Sequence, residues 1–326
     1  MPKINNMLII SIVIVNWNSK KFLAKCLDFL KANTNSKFDL EIIVVDNNSS
    51  DDSVSMIKER YKEVKLIENK ENLGFGRANN QAIKRATGDY ILLLNPDTEI
   101  YPDSINRMAA FLEKNHRAAM VGPKIFNTDG TVQYECARHF PTPLSEFAVE
   151  TTLYKRFPKS RFFGSYLMTY WNHDNLRPVD CISGACMLIK TDIIREVQMF
   201  DESYFMYGED VDLCMKIKRH GYDIWFLPEA KIIHHWGKSS EQLPLQMSII
   251  ARESMLLYFS KNFGLLTALA YKTLLFIAAF CILTGTLLLY LLSSKQRRKQ
   301  MHKIIKKSYD LFLWLIGLKS KETRYS

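Results

Sequence analysis

The first hundred residues alternate short apolar runs with longer segments of helical periodicity. Four apolar runs rich in Ile, Val and Leu predict buried strands at residues 8–15, 41–45, 64–68 and 90–94. Three segments between them predict helices at residues 19–31, 52–61 and 76–87. In the first helix, one face is apolar and carries Phe22, Leu23, Cys26, Leu27 and Leu30. This βαβαβαβ order predicts an α/β fold with a mostly parallel, right-handed sheet flanked by helices.

Polar residues follow each of these four strands. They are Asn16, then Asp46 with Asn47 and Asn48, then Asn69, and finally Asn95 and Asp97 around Pro96. Each position alone is ordinary turn chemistry, because Asn, Asp and Pro favour turns for local reasons. In parallel sheets, however, ligands bind beyond the carboxyl ends of the strands. Four polar strand ends in succession therefore favour a ligand site there.

The middle of the chain is less regular. A helix is predicted over residues 103–114 and a strand over 120–123, whereas residues 126–179 read as an irregular segment rich in Pro, Phe, Tyr and Arg. Long irregular segments inside compact domains are often functional. Further along, the pattern predicts a strand at 182–190, a helix at 192–197, and two short strands at 223–227 and 231–235.

The segment 205–221, FMYGEDVDLCMKIKRHG, places Glu209, Asp210 and Asp212 at the start of an amphipathic helix. The helix is expected to run to His220, and Gly221 is a natural stop. Two interpretations stand side by side. Acidic residues at a helix start accept hydrogen bonds from free amide groups and interact favourably with the helix dipole, and neither effect requires a catalytic role. Clustered carboxylates also occur where a site needs a base, a cation or contacts to sugar hydroxyls.

A second candidate lies in the loop ENLGFGRANN, residues 71–80. Gly74 and Gly76 allow a ligand to approach the backbone closely, and the helix that follows offers free N–H groups to a phosphate or ribose. The third glycine of a dinucleotide-binding fingerprint is absent, because Asn79 stands in its place. An oxidoreductase that uses a dinucleotide is therefore disfavoured.

Asp97 and a histidine pair point to a divalent cation. A carboxylate at a strand end can hold Mg²⁺ or Mn²⁺ against a diphosphate, because such ions take few protein ligands and complete their shell with phosphate and water. Neighbouring strand residues point to opposite faces, so only one of His234 and His235 can face such a site. We expect His234 to do so and His235 to be a satisfied imidazole.

Charge and cysteine content narrow the function classes. Residues 251–326 carry 13 Lys and Arg against 3 Asp and Glu, whereas residues 1–250 hold 31 of each class. The main body therefore has no excess of basic residues of the kind that binds nucleic acid.

The six cysteines form no CxxC pair and no zinc-binding spacing. Cys214 and Cys281 lie in apolar runs, which suggests simple burial in a reducing cytosol. Residues 8–15 lack the features of a signal peptide.

The basic tail is also apolar. Residues 273–292 contain no charge and are long enough to span a bilayer. Upstream, residues 255–270 are also apolar apart from Lys261, and Lys272 separates the two runs. A basic block at 294–307 precedes the short apolar run 311–318. A single span would place this block outside the cell, against the positive-inside tendency. A hairpin or interfacial helices, which keep the lysines on anionic headgroups, are therefore favoured over a single span and over a soluble helical pair.

Seven segments, taken in order, resemble family 2 glycosyltransferases. They are VNWN (15–18), VVDNNSSDDS (44–53), NLGFGRANN (72–80), LLLNPDT (92–98), SGACMLIK (183–190), FDESYFMYGEDVDLCMKIKRHGY (200–222) and PEAKIIHHWGKSS (228–240). The order is more specific than any one of these segments. The resemblance covers residues 9–240 and is strongest to rhamnosyltransferases of surface-polysaccharide assembly.

The resemblance implies a GT-A fold, a nucleotide-sugar donor, Mg²⁺ or Mn²⁺, and inversion at the anomeric carbon. It assigns the catalytic base to Asp210 and the metal to Asp97 and His234, with Asn95 in place of the first acid of an Asp-x-Asp motif. Donor contacts are expected from Asn16, Asp46, Asn48, Asn72, Gly74, Arg77, Asn79 and Asn95. Glu209 is expected to orient the acceptor together with Trp171, and Asp212 to pair with Lys216. Using Glu209 and Asp212 as a glycosidase pair would leave the nucleotide-like half of the chain unexplained.

The sequence as a whole predicts a glycosyltransferase domain at 1–250 and a helical membrane-association region at 251–326. The predicted enzyme faces the cytoplasm on a bacterial-type cell membrane and transfers a sugar, with dTDP-rhamnose as the first choice of donor, to a lipid-linked saccharide or polysaccharide. The alternatives are a UDP-linked hexose or galactofuranose donor and a non-catalytic membrane assembly protein. Nucleic acid is not an expected partner, and the oligomeric state is left open.

Overall fold

The computed structural model describes residues 8–32, 38–235, 244–291 and 293–317. Residues 236–240 of the last motif, Leu292 and Leu318 lie outside the described residues. The chain divides into a first unit, Met1–Phe140 with Asn172–Gln242, and a second unit, Pro141–Trp171 with Leu243–Ser326. The functional division predicted after residue 250 stays a prediction.

Strands and helices alternate through the first part of the chain, and helices follow at its end. The strands are β1 (Ile9–Asn16), β2 (Asp39–Asp46), β3 (Lys65–Glu68), β4 (Tyr90–Leu94), β5 (Thr98–Ile100), β6 (Ala118–Phe126), β7 (Ala137–Arg138), β8 (Arg177–Val179), β9 (Cys181–Ile182), β10 (Cys186–Lys190) and β11 (Asp223–His234). The helices are α1 (Lys20–Ala32), α2 (Ser53–Arg60), α3 (Phe75–Arg85), α4 (Ser104–Lys114), α5 (Pro143–Glu150), α6 (Leu153–Arg156), α7 (Thr191–Glu196), α8 (Glu209–Arg219), α9 (Pro244–Phe263), α10 (Leu265–Leu291) and α11 (Lys295–Leu315).

One large sheet organises the first unit, with strand order β3-β2-β1-β4-β10-β6-β11-β5 and β8 paired to β11. Strands β1 to β4 are mutually parallel, as predicted, and β6 is parallel to β11. Strand β10 is antiparallel to both of its neighbours, β4 and β6. The predicted α/β fold is confirmed. The parallel pairing places Asn16 opposite Asp46, so the polar ends of β1 and β2 meet at one edge.

The core of this unit lies between the sheet and its helices. Strands β1 and β4 are almost completely buried, because helices cover both faces of the sheet and both sides of each strand must be apolar. The apolar face of α1 contributes Leu23, Cys26, Leu27 and Leu30, all buried as predicted. Burial of each such leucine stabilises the fold by about 1.5–3 kcal/mol relative to an exposed one.

Two strand predictions were wrong. The run at 182–190 breaks into β9 and β10 at residues 183–185, because β9 pairs with β7 in a separate two-stranded sheet. The runs at 223–227 and 231–235 instead form the single strand β11. Pro228 cannot donate to a ladder, so the register against β6 shifts between Leu227 and Lys231 while the chain continues in the same direction.

The segment 126–179 is more regular than expected. It contains a 3-10 turn at Tyr134–Cys136, strands β7 and β8 and helices α5 and α6. Helix α5 begins with a capping box, in which Thr142 Oγ1 accepts from the Ser145 amide and Ser145 Oγ accepts from the Thr142 amide. Pro143 occupies the first turn, where its missing N–H costs nothing.

Helices dominate the second unit. The break between α9 and α10 falls at Gly264, which has φ +88°, whereas Lys272, which separates the two apolar runs of the sequence, lies inside α10. Lysine is a good helix former, so one charge in an apolar run does not end a helix. Helix α10 is long and apolar enough to cross a membrane by length and composition, with a mean hydropathy of 2.5 over its most apolar stretch. Cys281 is exposed on this helix, contrary to the expected burial.

Helices α10 and α11 pack against each other, with the rings of Phe276 and Phe312 5.1 Å apart. Helix α9 is joined to α5 by a buried ion pair, in which Arg252 Nη2 lies 2.6 Å from Glu150 Oε2. The basic block and the apolar runs of the tail are thus organised into consecutive helices.

Gly74 generates a stability prediction. Its φ is +81°, and a Cβ there would lie 2.2 Å from the carbonyl oxygen of Phe205. Gly130 has φ +82° but no heavy atom within 4 Å of the same position among the described residues. We expect Gly130→Ala to lower the free energy of unfolding by about 1 kcal/mol through backbone strain. Gly74→Ala should cost at least about 2 kcal/mol more, through the added steric clash. Urea unfolding of the two variants measures the difference, and equal losses would contradict the close approach.

Candidate active site

A buried polar network joins the ends of β1 and β2. Asn16 Nδ2 donates to Asp46 Oδ1 at 2.8 Å and lies 3.0 Å from Ser49 Oγ, while Asp46 Oδ2 accepts from the Ser49 amide at 2.9 Å. Asn16 and Asp46 are both buried. Asn48 follows in the left-handed region, with φ +63°, and is exposed. The Asp46 carboxylate is therefore fixed in place by Asn16 of β1 and by Ser49 in the loop after β2.

The glycine loop before α3 is held by the protein's own groups. Asn72 Oδ1 accepts from the Gly74 amide at 3.0 Å, and Asn47 Nδ2 donates to the Gly74 carbonyl at 3.1 Å. The Phe75 amide donates to the Phe205 carbonyl at 2.8 Å, which ties the loop to the segment before α8. Asn79 is buried inside α3, and its side chain donates to the Phe75 carbonyl.

At the end of β4, Asp97 meets His234 from β11. Asp97 Oδ1 lies 3.2 Å from His234 Nε2, and Asn95 Nδ2 lies 3.2 Å from the same nitrogen. Gln133 fixes the ring from behind. Its Nε2 donates to the His234 carbonyl at 2.8 Å, so its Oε1 must accept from His234 Nδ1, 3.0 Å away. This assignment leaves Nε2 as the nitrogen that faces Asp97.

His235 points elsewhere, as the alternation along a strand requires. Its Nε2 lies 2.7 Å from Glu99 Oε1, and its ring packs against Phe22 at 5.3 Å. His235 thus serves packing and pairing between β11, β5 and α1.

The acidic helix α8 starts after two residues in the left-handed region, Tyr207 at φ +66° and Gly208 at φ +79°. Strain of this kind in a non-glycine residue is typical of functional sites. Asp210 Oδ2 lies 2.6 Å from Arg138 Nη2 and accepts from the Gly184 amide at 3.3 Å, while Oδ1 accepts from the Val211 amide at 2.8 Å.

Glu209 and Asp212 differ from Asp210. Burial, and then the neighbouring Asp210 carboxylate, raise the pKa of Glu209 to about 8. Its Oε2 has no hydrogen-bond partner in the part of the chain that the structure describes. Asp212 is buried beside the Tyr204 hydroxyl and lies 3.9 Å from Lys216 Nζ, at the i,i+4 spacing predicted for this pair.

Residues 183–185 bring these parts together. A Cβ on Gly184 would lie 3.5 Å from Asp210 Cβ and 3.7 Å from the ring of Phe75. The Ala185 carbonyl accepts from the Asn95 amide at 3.0 Å. The start of α8, the glycine loop and the end of β4 therefore converge on one short segment at the carboxyl edge of the parallel strands.

Arg77 is half-exposed and points away from residues 183–185 toward the carbonyl of Glu202, to which it donates. Trp171 belongs to the second unit. Sequence reasoning missed Gln133 and Arg138, which contact His234 and Asp210 across 101 and 72 positions of the chain. Both lie in the segment expected to be irregular, where no local periodicity marks a buried side chain.

Comparison with known proteins agrees with this geometry. The family model described as Glycosyl transferase family 2 matches residues 11–197, more than half of the chain. The N-acetylglucosaminyl-diphospho-decaprenol L-rhamnosyltransferase of Mycobacterium tuberculosis is 30% identical over 216 residues, which are 63% of this chain and 69% of that protein. Rhamnosyltransferase WbbL of Escherichia coli K12 is 28% identical over 235 residues, 69% of this chain and 82% of WbbL.

A solved structure supports the fold. The mannosyltransferase PcManGT from Pyrobaculum calidifontis, in complex with GDP-Man and Mn²⁺, superposes with a TM-score of 0.56 over 95% of this chain and 88% of its own, at 15% identity. The sheet thus has the GT-A architecture that the motifs implied. Strand order, ordered motifs and the match over residues 11–197 lead to one conclusion: this chain belongs to glycosyl transferase family 2.

Proposed function

We propose that this glycosyltransferase moves L-rhamnose from dTDP-rhamnose, with inversion, to a hydroxyl of a lipid-linked saccharide. One observation carries the proposal: the Asp210 carboxylate lies against Gly184, which also adjoins Phe75 of the glycine loop. The donor is suggested by the rhamnosyltransferase names of two relatives, and the acceptor class by the decaprenol-linked substrate in one of those names.

In the proposed reaction, an oxygen of the acceptor hydroxyl attacks the anomeric carbon of the donor. The bond from that carbon to the diphosphate breaks and its electron pair leaves with the diphosphate, while the hydroxyl proton passes to the Asp210 carboxylate. One carboxylate suffices as base, because the hydroxyl becomes more acidic as its bond to carbon forms. The Asp210 carboxylate must therefore be ionised before the reaction.

We assign the donor nucleoside to the buried network at the ends of β1 and β2. Asp46 would accept from the ribose or pyrimidine, with Asn16 holding its carboxylate and Asn48 beside it. Asn72, Gly74 and Asn79 shape the loop that would lie along the diphosphate. Arg77, half-exposed at the start of α3, supplies positive charge near that loop, and Asn95 borders the sugar.

Asp97 and His234 fit a divalent cation. Because Gln133 holds Nδ1 as the donor, a neutral His234 presents its lone pair on Nε2, which lies 3.2 Å from both the Asp97 carboxylate oxygen and Asn95 Nδ2. Two acceptor atoms at this distance suit a shared cation, and a buried partner on the other ring nitrogen is typical of metal-binding histidines. Mg²⁺ or Mn²⁺ bound there would neutralise charge on the departing diphosphate.

Glu209 is proposed to orient the acceptor. With a pKa raised to about 8, it is mainly a neutral carboxylic acid at pH 7, so it can donate a hydrogen bond to a sugar oxygen. Trp171, in the second unit, stays a predicted acceptor contact. In this division Glu209 binds the acceptor and Asp210 is the base.

We also propose that the second unit attaches the enzyme to the cytoplasmic face of the membrane. Only 17% of the most apolar stretch of α10 is buried within the chain, so most of its apolar side chains are available to lipid. Helix α11 carries Arg297, Arg298 and Lys299 in its first turns, which suit anionic headgroups. The packed α10–α11 pair favours a hairpin at the interface.

Replacing the base should separate chemistry from binding. We expect Asp210→Asn to reduce kcat at least about 10²-fold, because general-base catalysis is worth about 10²–10⁴-fold. Donor binding should remain, as measured by thermal shift with dTDP- and UDP-linked sugars in the presence of Mn²⁺. The identity of the donor is tested by comparing the thermal shifts that the sugars of this panel produce in the unaltered enzyme. A larger shift with a UDP-sugar than with dTDP-rhamnose would contradict the proposed donor.

Asp192→Asn is a matched control, since Asp192 also lies in a first helical turn and accepts from the next amide at 2.8 Å. It should keep full activity. Full activity in Asp210→Asn would show that Asp210 is not the catalytic base.

The cation site is tested by the two neighbouring histidines. We expect His234→Gln to weaken Mn²⁺ binding, measured by isothermal titration calorimetry in the presence of dTDP, by more than about 10-fold. His235→Gln should leave the affinity unchanged, because His235 pairs with Glu99. An equal effect of both changes would exclude His234 as a ligand.

The raised pKa of Glu209 predicts a pH dependence of stability. The folded state retains the proton above the ordinary pKa of 4.5, so the free energy of unfolding should fall as pH rises from about 4.5 to about 8. The slope is at most about 1.4 kcal/mol per pH unit. Glu209→Gln removes the titration, so its thermal midpoint should decline less over this range than that of the unaltered protein. Parallel declines would show that Glu209 ionises at its ordinary pKa.

A further inference from the structure

Arg138 is the closest charged partner of the proposed base. Its Nη2 lies 2.6 Å from Asp210 Oδ2 and 3.4 Å from the Ile182 carbonyl, and both side chains of the ion pair are mostly buried, at 10% and 16% exposure. Strand pairing anchors its backbone, because Arg138 lies opposite Cys181 in the β7–β9 ladder. The Arg138 guanidinium therefore reaches Asp210 from the two-stranded β7–β9 sheet.

We propose that Arg138 is a positioning residue, which holds Asp210 Oδ2 and keeps this carboxylate ionised beside Glu209. The inference rests on the proposed role of Asp210 as the base. Arg138 is assigned no contact with substrate, and its effect on the reaction passes through the Asp210 carboxylate.

The titratable groups around Asp210 support this division of charge. Glu209 precedes it on α8, Arg138 faces it from β7, and Cys181 lies on β9. Burial raises the pKa of the Cys181 thiol well above its usual value, so this group remains neutral and does not compete. Asp210 also accepts from the Gly184 and Val211 amides, whereas burial raises the pKa of Glu209. Of two adjacent carboxyl groups, Asp210 therefore has a guanidinium and two amides as partners, whereas Glu209 Oε2 has no hydrogen-bond partner among the described residues.

A purely structural ion pair would behave differently. Its loss would lower the stability and the amount of folded enzyme, but the acid limb of kcat/KM per folded enzyme would stay in place. A positioning role changes the protonation of the base in the free enzyme, which is the state that the pH dependence of kcat/KM reports. The acid side of that profile therefore distinguishes the two roles.

The experiment compares the pH profiles of kcat/KM for Arg138→Gln, Arg138→Lys and Arg252→Gln in the full chain. Arg252 is a matched control, because its pair with Glu150 is also 2.6 Å long and mostly buried but lies in the second unit. We expect the acid limb of Arg138→Gln to move up by about one pH unit, a tenfold change in the proton affinity of the base. Arg138→Lys should move it less, since lysine keeps the charge but loses the planar fork. Arg252→Gln should lose stability without moving the limb.

An acid limb of Arg138→Gln at the position of the unaltered enzyme, or an equal movement in Arg252→Gln, would overturn the proposal. If Arg138→Gln does not fold, Arg138→Met, which keeps the apolar part of the side chain without its charge, carries the test, and an unmoved limb in that variant has the same meaning. Failure of the base assignment is recognised separately by full activity in Asp210→Asn. An inactive Asp210→Asn with an unmoved limb in Arg138→Gln would reject only the role of Arg138.

Discussion

The antiparallel strand β10, inserted between β4 and β6, is the constraint on which the site depends. Because β10 runs against its neighbours, its amino end meets the carboxyl edge of the parallel strands, where Cys186 lies opposite Leu94. The preceding residues 183–185 are thereby placed at the one edge where polar strand ends converge. Gly184 and Ala185 then contact the start of α8, the glycine loop and the end of β4. A parallel strand in the same place would have brought its carboxyl end there instead.

Two buried groups at this edge are held by partners from one short segment. Gln133 fixes the ring of His234, and Arg138, five residues later, holds Asp210. The 3-10 turn at Tyr134–Cys136 separates them and leads into β7. A site that needs one histidine nitrogen and one carboxylate in defined states benefits from rigid neighbours, because small displacements of catalytic groups reduce rates strongly. We therefore propose that Gln133 and Arg138 orient the site rather than take part in the reaction itself.

The three acids at the start of α8 differ in their surroundings. Asp210 has a guanidinium and two amides, Asp212 has Tyr204 and Lys216, and Glu209 has a buried carboxyl group whose pKa is raised. A charged carboxylate in a buried place requires such partners, and one without them takes up a proton. The left-handed Tyr207 and Gly208 place all three acids at once, because they redirect the chain immediately before the helix.

Local sequence was sufficient to specify the alternation of strands and helices, the polar strand ends, the glycine loop, the acidic helix start and the family. These features depend on periodicity and on motifs of a few residues, which neighbours along the chain specify. Packing in three dimensions was needed to establish that residues 183–185 break a strand and that Pro228 only shifts a register. It also established the partners of Asp210 and His234. The Arg138–Asp210 pair is separated by 72 positions of the chain and the Gln133–His234 pair by 101. Both pairs depend on the order of the strands in the sheet, which no local sequence pattern specifies.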